Sequence, residues 1–404
     1  MSPLSTLSTR SPLSPLARLL ISSQFAFNVG FFAVLPYLAD HLSGALGLGG
    51  WLVGLVLGLR TFSQQGLFVV GGALTDRYGP RPVVLVGCAL RVAGFLWLAW
   101  ADSVGAVVGA VLLVGFAAAL FSPAVESEVA REAVRLEEVS GVPRTRVLAR
   151  FSAGGQAGAL TGPVLGALLL QGQFRVACLA GAGVFALVLA GHARLMPRRA
   201  GVRAVARPRG DGAWAVLRNR RFLLLTLAYA TYLLAYNQLY LALPAELDRA
   251  TGSQAALGWL FALSSALVVA GQLPLERWAA RWWSWRTTVR FGLGVTGVAF
   301  AAAGVLRSLG GLWACVLFVV LLSLGQMLVS PAVRAWLPDL VPSERLGLYT
   351  GAMSSLAGLG VLLGSVPAGA LITTPWYWPA LAGVAVLGVL AVPRAATAQQ
   401  ASRP

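Results

Sequence analysis

The sequence predicts an all-α membrane protein of twelve transmembrane helices in two pseudo-symmetric six-helix bundles, and three observations carry that prediction. Of 404 residues, 57% are hydrophobic and 11% charged, with a mean hydropathy of +0.76, an apolar share well above that of a soluble domain. Twelve stretches reach the roughly 20 mostly apolar residues that a spanning helix needs. Four short motifs recur at an offset of 200 to 208 positions, which points to duplication of a six-helix unit.

The spans follow in order. Span 1 centres near residue 28, carries Asn28 and ends at Leu35-Pro36. Span 2, near 62, holds Arg60 and Gln64 and ends in the charged loop Gly72-Ala73-Leu74-Thr75-Asp76-Arg77-Tyr78-Gly79-Pro80-Arg81. Span 3, near 92, holds Arg91; span 4, near 113, ends at Ser122-Pro123-Ala124-Val125; span 5, near 159, is rich in glycine; span 6, near 184, ends at His192. Span 7, near 234, carries Tyr229, Tyr232, Tyr236 and Tyr240 on one side. Spans 8 to 12 centre near 265, 297, 320, 360 and 384. The organisation is a disordered tail at 1–16, bundles at 17–195 and 222–393, a basic linker at 196–221 and a second tail at 394–404. The first tail is rich in Ser, Pro, Leu and Thr, and no cleaved signal peptide is read there.

The net charge of +17 comes from 31 arginines and no lysine, and it marks topology rather than a nucleic-acid partner. With both termini cytoplasmic, 25 arginines fall on the inner side, Arg175, Arg249 and Arg307 on the outer side, and Arg60, Arg91 and Arg290 within spans. Basic loops stay inside. The segment Arg194 to Arg221 holds nine arginines against Asp211 alone; it either fixes topology or is also drawn to anionic headgroups. Cys88, Cys178 and Cys315 lie singly in apolar stretches, so neither a disulfide framework nor a zinc site is implied.

Each repeated motif joins equivalent spans of the two halves. Asp76-Arg77-Tyr78 with Arg81 echoes Glu276-Arg277-Trp278 with Arg281, and Ser122-Pro123-Ala124-Val125 echoes Ser330-Pro331-Ala332-Val333. Leu35-Pro36 returns as Leu243-Pro244, and Ala157-Gly158 as Ala357-Gly358. On Gly72, Leu74, Asp76, Arg77, Gly79 and Arg81, the chain resembles the major facilitator superfamily, with Pro80 departing from its first basic position. The stretch Val53 to Gly66 and Arg91 to Phe95 are similar to the MdtH-type multidrug-efflux branch. Gly158, Gly162, Pro163 and Gly166 on span 5 resemble the signature of its antiporter-type members.

That resemblance implies the major facilitator fold and a gating motif of Gly72, Asp76, Arg77, Gly79 and Arg81. Asp76 is then expected to meet the positive N-terminus of span 11 in the outward-facing state, and Glu126 to answer Arg77 and Arg81. Gly158 and Gly162 share a helix face and permit close approach, while Pro163 removes a backbone donor and bends the span; the plain alternative is ordinary close packing. Arg60 with Gln64, and Asn28 with Tyr236, Asn237, Gln238 and Tyr240, are the expected substrate path, helix-to-helix hydrogen bonding being the alternative. Arg91 is read as structural.

A charge in mid-membrane is costly and thus functional by default, yet none of the fourteen carboxylates falls in mid-span. Asp40 and Glu246, at the outer edge, are the acids left to carry a proton. The expected function is secondary transport, export of small amphipathic compounds by alternating access with proton coupling by resemblance. The alternative is an organic-anion exporter or facilitator using Arg60 without protons. An enzyme is not expected: His41 and His192 join no nucleophile or metal-ligand set. Neither is a channel, for want of a charged ring or filter loop. No cofactor and no nucleic acid are expected, only the lipid bilayer of the plasma membrane, a small amphipathic or anionic substrate and a monomer.

Overall fold

The computed structural model describes residues 13–169, 173–198, 216–309, 311–342 and 345–393. Most of the expected N-terminal tail, the core of the basic linker and all of the expected C-terminal tail lie outside the described residues. Twelve helical spans appear among the described residues. They are α1 (Pro15–Ala45), α2 (Gly50–Tyr78), α3 (Pro80–Ala99), α4 (Val104–Ser140), α5 (Arg144–Leu169) and α6 (Phe174–Leu195), then α7 (Arg220–Thr251), α8 (Leu257–Trp282), α9 (Trp285–Leu306), α10 (Trp313–Trp336), α11 (Leu346–Leu371) and α12 (Tyr377–Ala391). Ten are long and apolar enough to cross a membrane. Of the other two, α5 is diluted by glycines, Ser152 and Gln156, and α12 has only 15 residues.

Local chemistry sets the ends and breaks of these helices. Ser14, Ser103, Asn219 and Ser284 cap α1, α4, α7 and α9, each accepting a backbone N–H three positions on. Past Phe32, α1 loosens into a 3₁₀ turn at Leu35–Tyr37 and a π turn at His41–Ala45. The α2 helix breaks between Gln65 and Phe68. Gly79 joins α2 to α3 with φ of 83°, a conformation that side chains with a Cβ resist, and Pro80 then opens α3 where no amide donor is needed.

The two halves pack alike. In the first, α3 lies on α4 and α6, α1 on α5, and α2 on α4; in the second, α9 lies on α10 and α12, α7 on α11, and α8 on α10. The bundles meet through the matched pairs α2 with α11 and α5 with α8. Glycine permits the first of these: a Cβ on Gly58 would stand 3.0 Å from Leu362 Cα, and one on Gly54 or Gly369 would strike backbone of the facing helix. Close backbone approach of this kind is how membrane helices associate without a hydrophobic drive.

The molecule is closed on one side. Away from the arginine-rich face, Leu35–Asp40 at the end of α1 packs on α7 and α8, and Gln254 Nε2 donates to Asp40 Oδ1 at 2.6 Å across the bundles. Towards the arginine-rich face α4 and α10 scarcely touch, and Glu126 of α4 and Arg334 near the end of α10 are exposed there.

Candidate functional site

Between the bundles lies a cavity of about 270 Å³. One wall is the tyrosine stripe of α7, whose rings at 229, 232, 236 and 240 follow one another at centroid distances of 5.8, 6.3 and 6.0 Å. Spacings of three and four residues put all four on one face of the helix. Opposite stand Phe27, Asn28, Phe31 and Phe32 of α1 and Arg60, Thr61 and Gln64 of α2, with Gln326, Ser330 and Arg334 of α10 nearer the open side.

Arg60 is the charge at the centre. Its side chain is buried, its guanidinium donates to Gln64 Oε1 at 3.0 Å one turn along, and its Cζ lies 4.7 Å from the Phe31 ring and 5.6 Å from Tyr240. Among the described residues no carboxylate lines the cavity and none pairs with Arg60. The aromatic faces supply part of the lost solvation through the ring quadrupole, leaving an electropositive pocket ready for an anionic group.

Arg91 sits on the far side of the same ring. It is 1% exposed, and Phe27, Phe31, Phe95 and Phe185 surround its guanidinium at 4.7 to 5.4 Å. One N–H reaches the Val114 carbonyl at 2.9 Å, while Nε and the second terminal nitrogen have no hydrogen-bond partner. Arg91 is enclosed in the first bundle, as its structural reading expects, and Phe31 is held between two cations.

The neighbours Asn237 and Gln238 part company. Asn237 lines the cavity, donates to Ser365 Oγ at 3.1 Å and lies 3.2 Å from the Thr61 hydroxyl of the other bundle. Gln238 is turned about 100° further round the helix. It is fully buried, donates to the Leu234 carbonyl, and accepts from the Tyr377 hydroxyl of α12 at 2.7 Å. Its placement on the substrate path is therefore corrected: it ties α7 to α12.

The glycines of α5 serve contact with α1. A Cβ on Gly162 would come 2.7 Å from Phe32 Cβ, one on Gly158 2.8 Å from Asn28 Cβ, and one on Gly166 2.7 Å from a Tyr37 ring carbon. Pro163, lacking an N–H, leaves the Ala159 carbonyl four residues earlier without its helical donor. Ser265 of α8, in the other bundle, donates to that carbonyl at 2.9 Å, and Tyr37 donates to the Pro163 carbonyl at 2.7 Å. The proline thus creates the acceptor by which the second bundle grips the first.

The charged loop is differently arranged from the expectation. Arg81 donates to the Ala193 carbonyl of α6 at 2.6 Å, and Arg77 lies over the Tyr78 ring at 5.2 Å. Neither answers Glu126. The last carbonyls of α6 are the negative end of a helix and satisfy Arg81 instead, while Glu126 faces Arg334 across the open mouth, within electrostatic reach but not as a close ion pair. Asp76 is exposed and makes no hydrogen bond or ion pair among the described residues; a Cβ on Gly72 would meet nothing within 4 Å. The outer acids lie apart from the cavity: Asp40 bonds Gln254, and Glu246 is held by Arg249 and Arg307.

The family model described as Major Facilitator Superfamily matches residues 20–249 and 225–401. The chain belongs to the major facilitator superfamily. An uncharacterized MFS-type transporter of Mycobacterium tuberculosis strain H37Rv is 35% identical over 394 residues, covering 93% of this chain and 91% of that one. Multidrug resistance protein MdtH of Yersinia pestis strain Pestoides F is 31% identical over 371 residues, covering 90% of each. A POT family transporter solved with 5-aminolevulinic acid superposes at a TM-score of 0.80 with 13% identity, covering 93% and 94%. The nucleoside transporter NupG superposes at 0.76 with 15% identity, covering 93% and 98%. These two share the fold.

As a member of this superfamily the chain is a multi-pass integral membrane transporter, not an enzyme. Sequence reasoning placed Asn28, Arg60, Gln64, Tyr236, Asn237 and Tyr240, which the structure gathers in one cavity. It missed Phe31, Thr61 and Arg334. The signal for Arg334 lay in the repeat itself, since Arg334 follows Ser330-Pro331-Ala332-Val333 as Glu126 follows Ser122-Pro123-Ala124-Val125.

Proposed function

We propose that the chain is a secondary active exporter of small amphipathic compounds in the plasma membrane. It works by alternating access, with the bundles at 17–195 and 222–393 rocking about the central cavity and the linker at 196–221 joining them. The arginine-rich side, with both termini, is cytoplasmic, and the protein acts as a monomer. The observation that carries this reading is a cavity between the bundles, lined by four tyrosines, three phenylalanines and Arg60, sealed away from the arginine-rich face and open towards it. Aromatic walls with few polar groups accept substrates of varied shape, and the 31% identity to MdtH supports export of drug-like molecules. Gly72, Asp76, Arg77, Gly79 and Arg81 form the gating loop, and Gly158, Gly162, Pro163 and Gly166 the hinge.

Proton entry is the proposed drive, with Asp40 and Glu246 as its acids. A second reading is favoured by the buried, acid-free surroundings of Arg60: export or facilitation of an organic anion without protons. One experiment separates them. Efflux from proteoliposomes is measured with and without an imposed pH gradient, using an anionic and a cationic aromatic probe, for the native protein and Arg60→Gln. Gradient-driven efflux of the cationic probe supports the first reading. Efflux indifferent to the gradient, restricted to the anion and lost in Arg60→Gln, replaces it with the second.

A further inference from the structure

Besides the central cavity, a groove of about 620 Å³ lies on the outer face of the second bundle. Arg286, Arg290, Phe291, Gly294 and Val298 of α9 line it, with Leu321 of α10. It exists because α8 and α9, though consecutive, pack on α10 rather than extensively on each other, and because Gly294 contributes no side chain. A Cβ there would meet nothing within 4 Å.

Depth and charge identify the occupant. Trp278, Trp282, Trp283 and Trp285 cluster at the joint between α8 and α9, the residue type that settles at headgroup level. Trp283 packs on Phe291 at 4.7 Å, so the groove's mouth opens at that level. From Arg286 to Val298 the helix rises about 18 Å, close to the roughly 15 Å of one leaflet's hydrocarbon. Arg286 and Arg290, one turn apart, form no ion pair or hydrogen bond among the described residues, and Arg286 Nε is buried without a partner. Arg290 is exposed within a span on the lipid side. An unpaired guanidinium at that depth is costly unless it reaches an anion at the interface. The groove therefore offers two cations at headgroup level and an apolar trough beneath them.

We propose that this groove binds one anionic glycerophospholipid of the cytoplasmic leaflet, its phosphodiester against Arg286 and Arg290 and an acyl chain laid along Gly294, Val298 and Leu321. Basic pockets between membrane helices on the cytoplasmic side bind such headgroups. The assignment does not rest on what the central cavity transports.

The test is native mass spectrometry of the full-length protein, titrated with phosphatidylglycerol and phosphatidylcholine of identical acyl chains. Retention of phosphatidylglycerol is expected to exceed that of phosphatidylcholine by about tenfold, and the preference to disappear in Arg286→Gln/Arg290→Gln. Gly294→Leu, whose Cβ meets nothing within 4 Å and whose side chain adds bulk to the trough, is expected to weaken phosphatidylglycerol binding while both arginines remain. Inorganic phosphate at millimolar concentration is expected not to displace the lipid. Unreactive Cys88, Cys178 and Cys315, all buried, verify the fold of each variant. Equal retention of the two lipids, unchanged preference in the double variant, or displacement by inorganic phosphate would overturn the proposal.

Discussion

Removing the Ser265 hydroxyl is expected to tilt the protein towards its outward-facing state, through a chain of cause that starts at Pro163. Without an amide hydrogen the proline leaves the Ala159 carbonyl open, and Ser265 closes it from the other bundle at 2.9 Å. A bond that joins α5 to α8 belongs to the state closed on the outer side. In Ser265→Ala the carbonyl loses its partner, at a cost of about 0.6 kcal/mol on the membrane average to about 1.5 kcal/mol for a typical intramolecular bond. At about 1.4 kcal/mol per decade, the population should shift roughly three- to tenfold. Pulsed electron paramagnetic resonance, with spin labels on the outer ends of α1 and α8, reads that shift as growth of the longer distance. Pro163→Ala supplies the matching control: its new N–H can satisfy Ala159 within the helix, so Ser265→Ala should change little in that background. An equal shift in both backgrounds, or none in either, would refute the reasoning.

Three further outcomes are expected. Glu126→Arg sets like charge against Arg334 and should slow transport severalfold, with Arg334→Glu in the same chain restoring much of the rate; a double variant no better than the single removes the pairing. Gly162→Leu drives a side chain into Phe32 and should cost about 1 to 3 kcal/mol of stability, read as a lower temperature at which a thiol-reactive dye reaches buried Cys88 and Cys178. Unchanged melting would show that α1 and α5 can part freely. Asp76→Asn should leave the inward-open form as stable as before, since Asp76 is unengaged there, yet slow turnover about two- to fivefold, the range of one charge at a helix N-terminus. Native turnover would remove its gating role.

What could be read from the sequence was what is local or periodic. Spans, the repeat and the tyrosine stripe follow from composition and from spacings of three and four, so α7 presents the face expected of it. Arg60 was legible because a lone charge in an apolar stretch demands a purpose. Gln238 was misplaced because matching depth on a helix does not fix direction, and one residue turns the side chain by about 100°. The cage around Arg91 draws phenylalanines from α1, α3 and α6, a convergence that no single stretch discloses. Glu126 entered by the family pattern, as the acid for Arg77 and Arg81, whereas here it faces Arg334 across the mouth between α4 and α10.

The mouth also bears on how a duplicated transporter can work at all. Two identical half-chains would carry the same residue at positions 126 and 334, so bringing α4 and α10 together would press carboxylate on carboxylate or guanidinium on guanidinium. With Glu126 in one copy and Arg334 in the other, the approach of the two halves becomes attractive on the side that must close. In the proposed alternating-access cycle, this departure from symmetry supplies a restoring force on the side where Glu126 and Arg334 face each other.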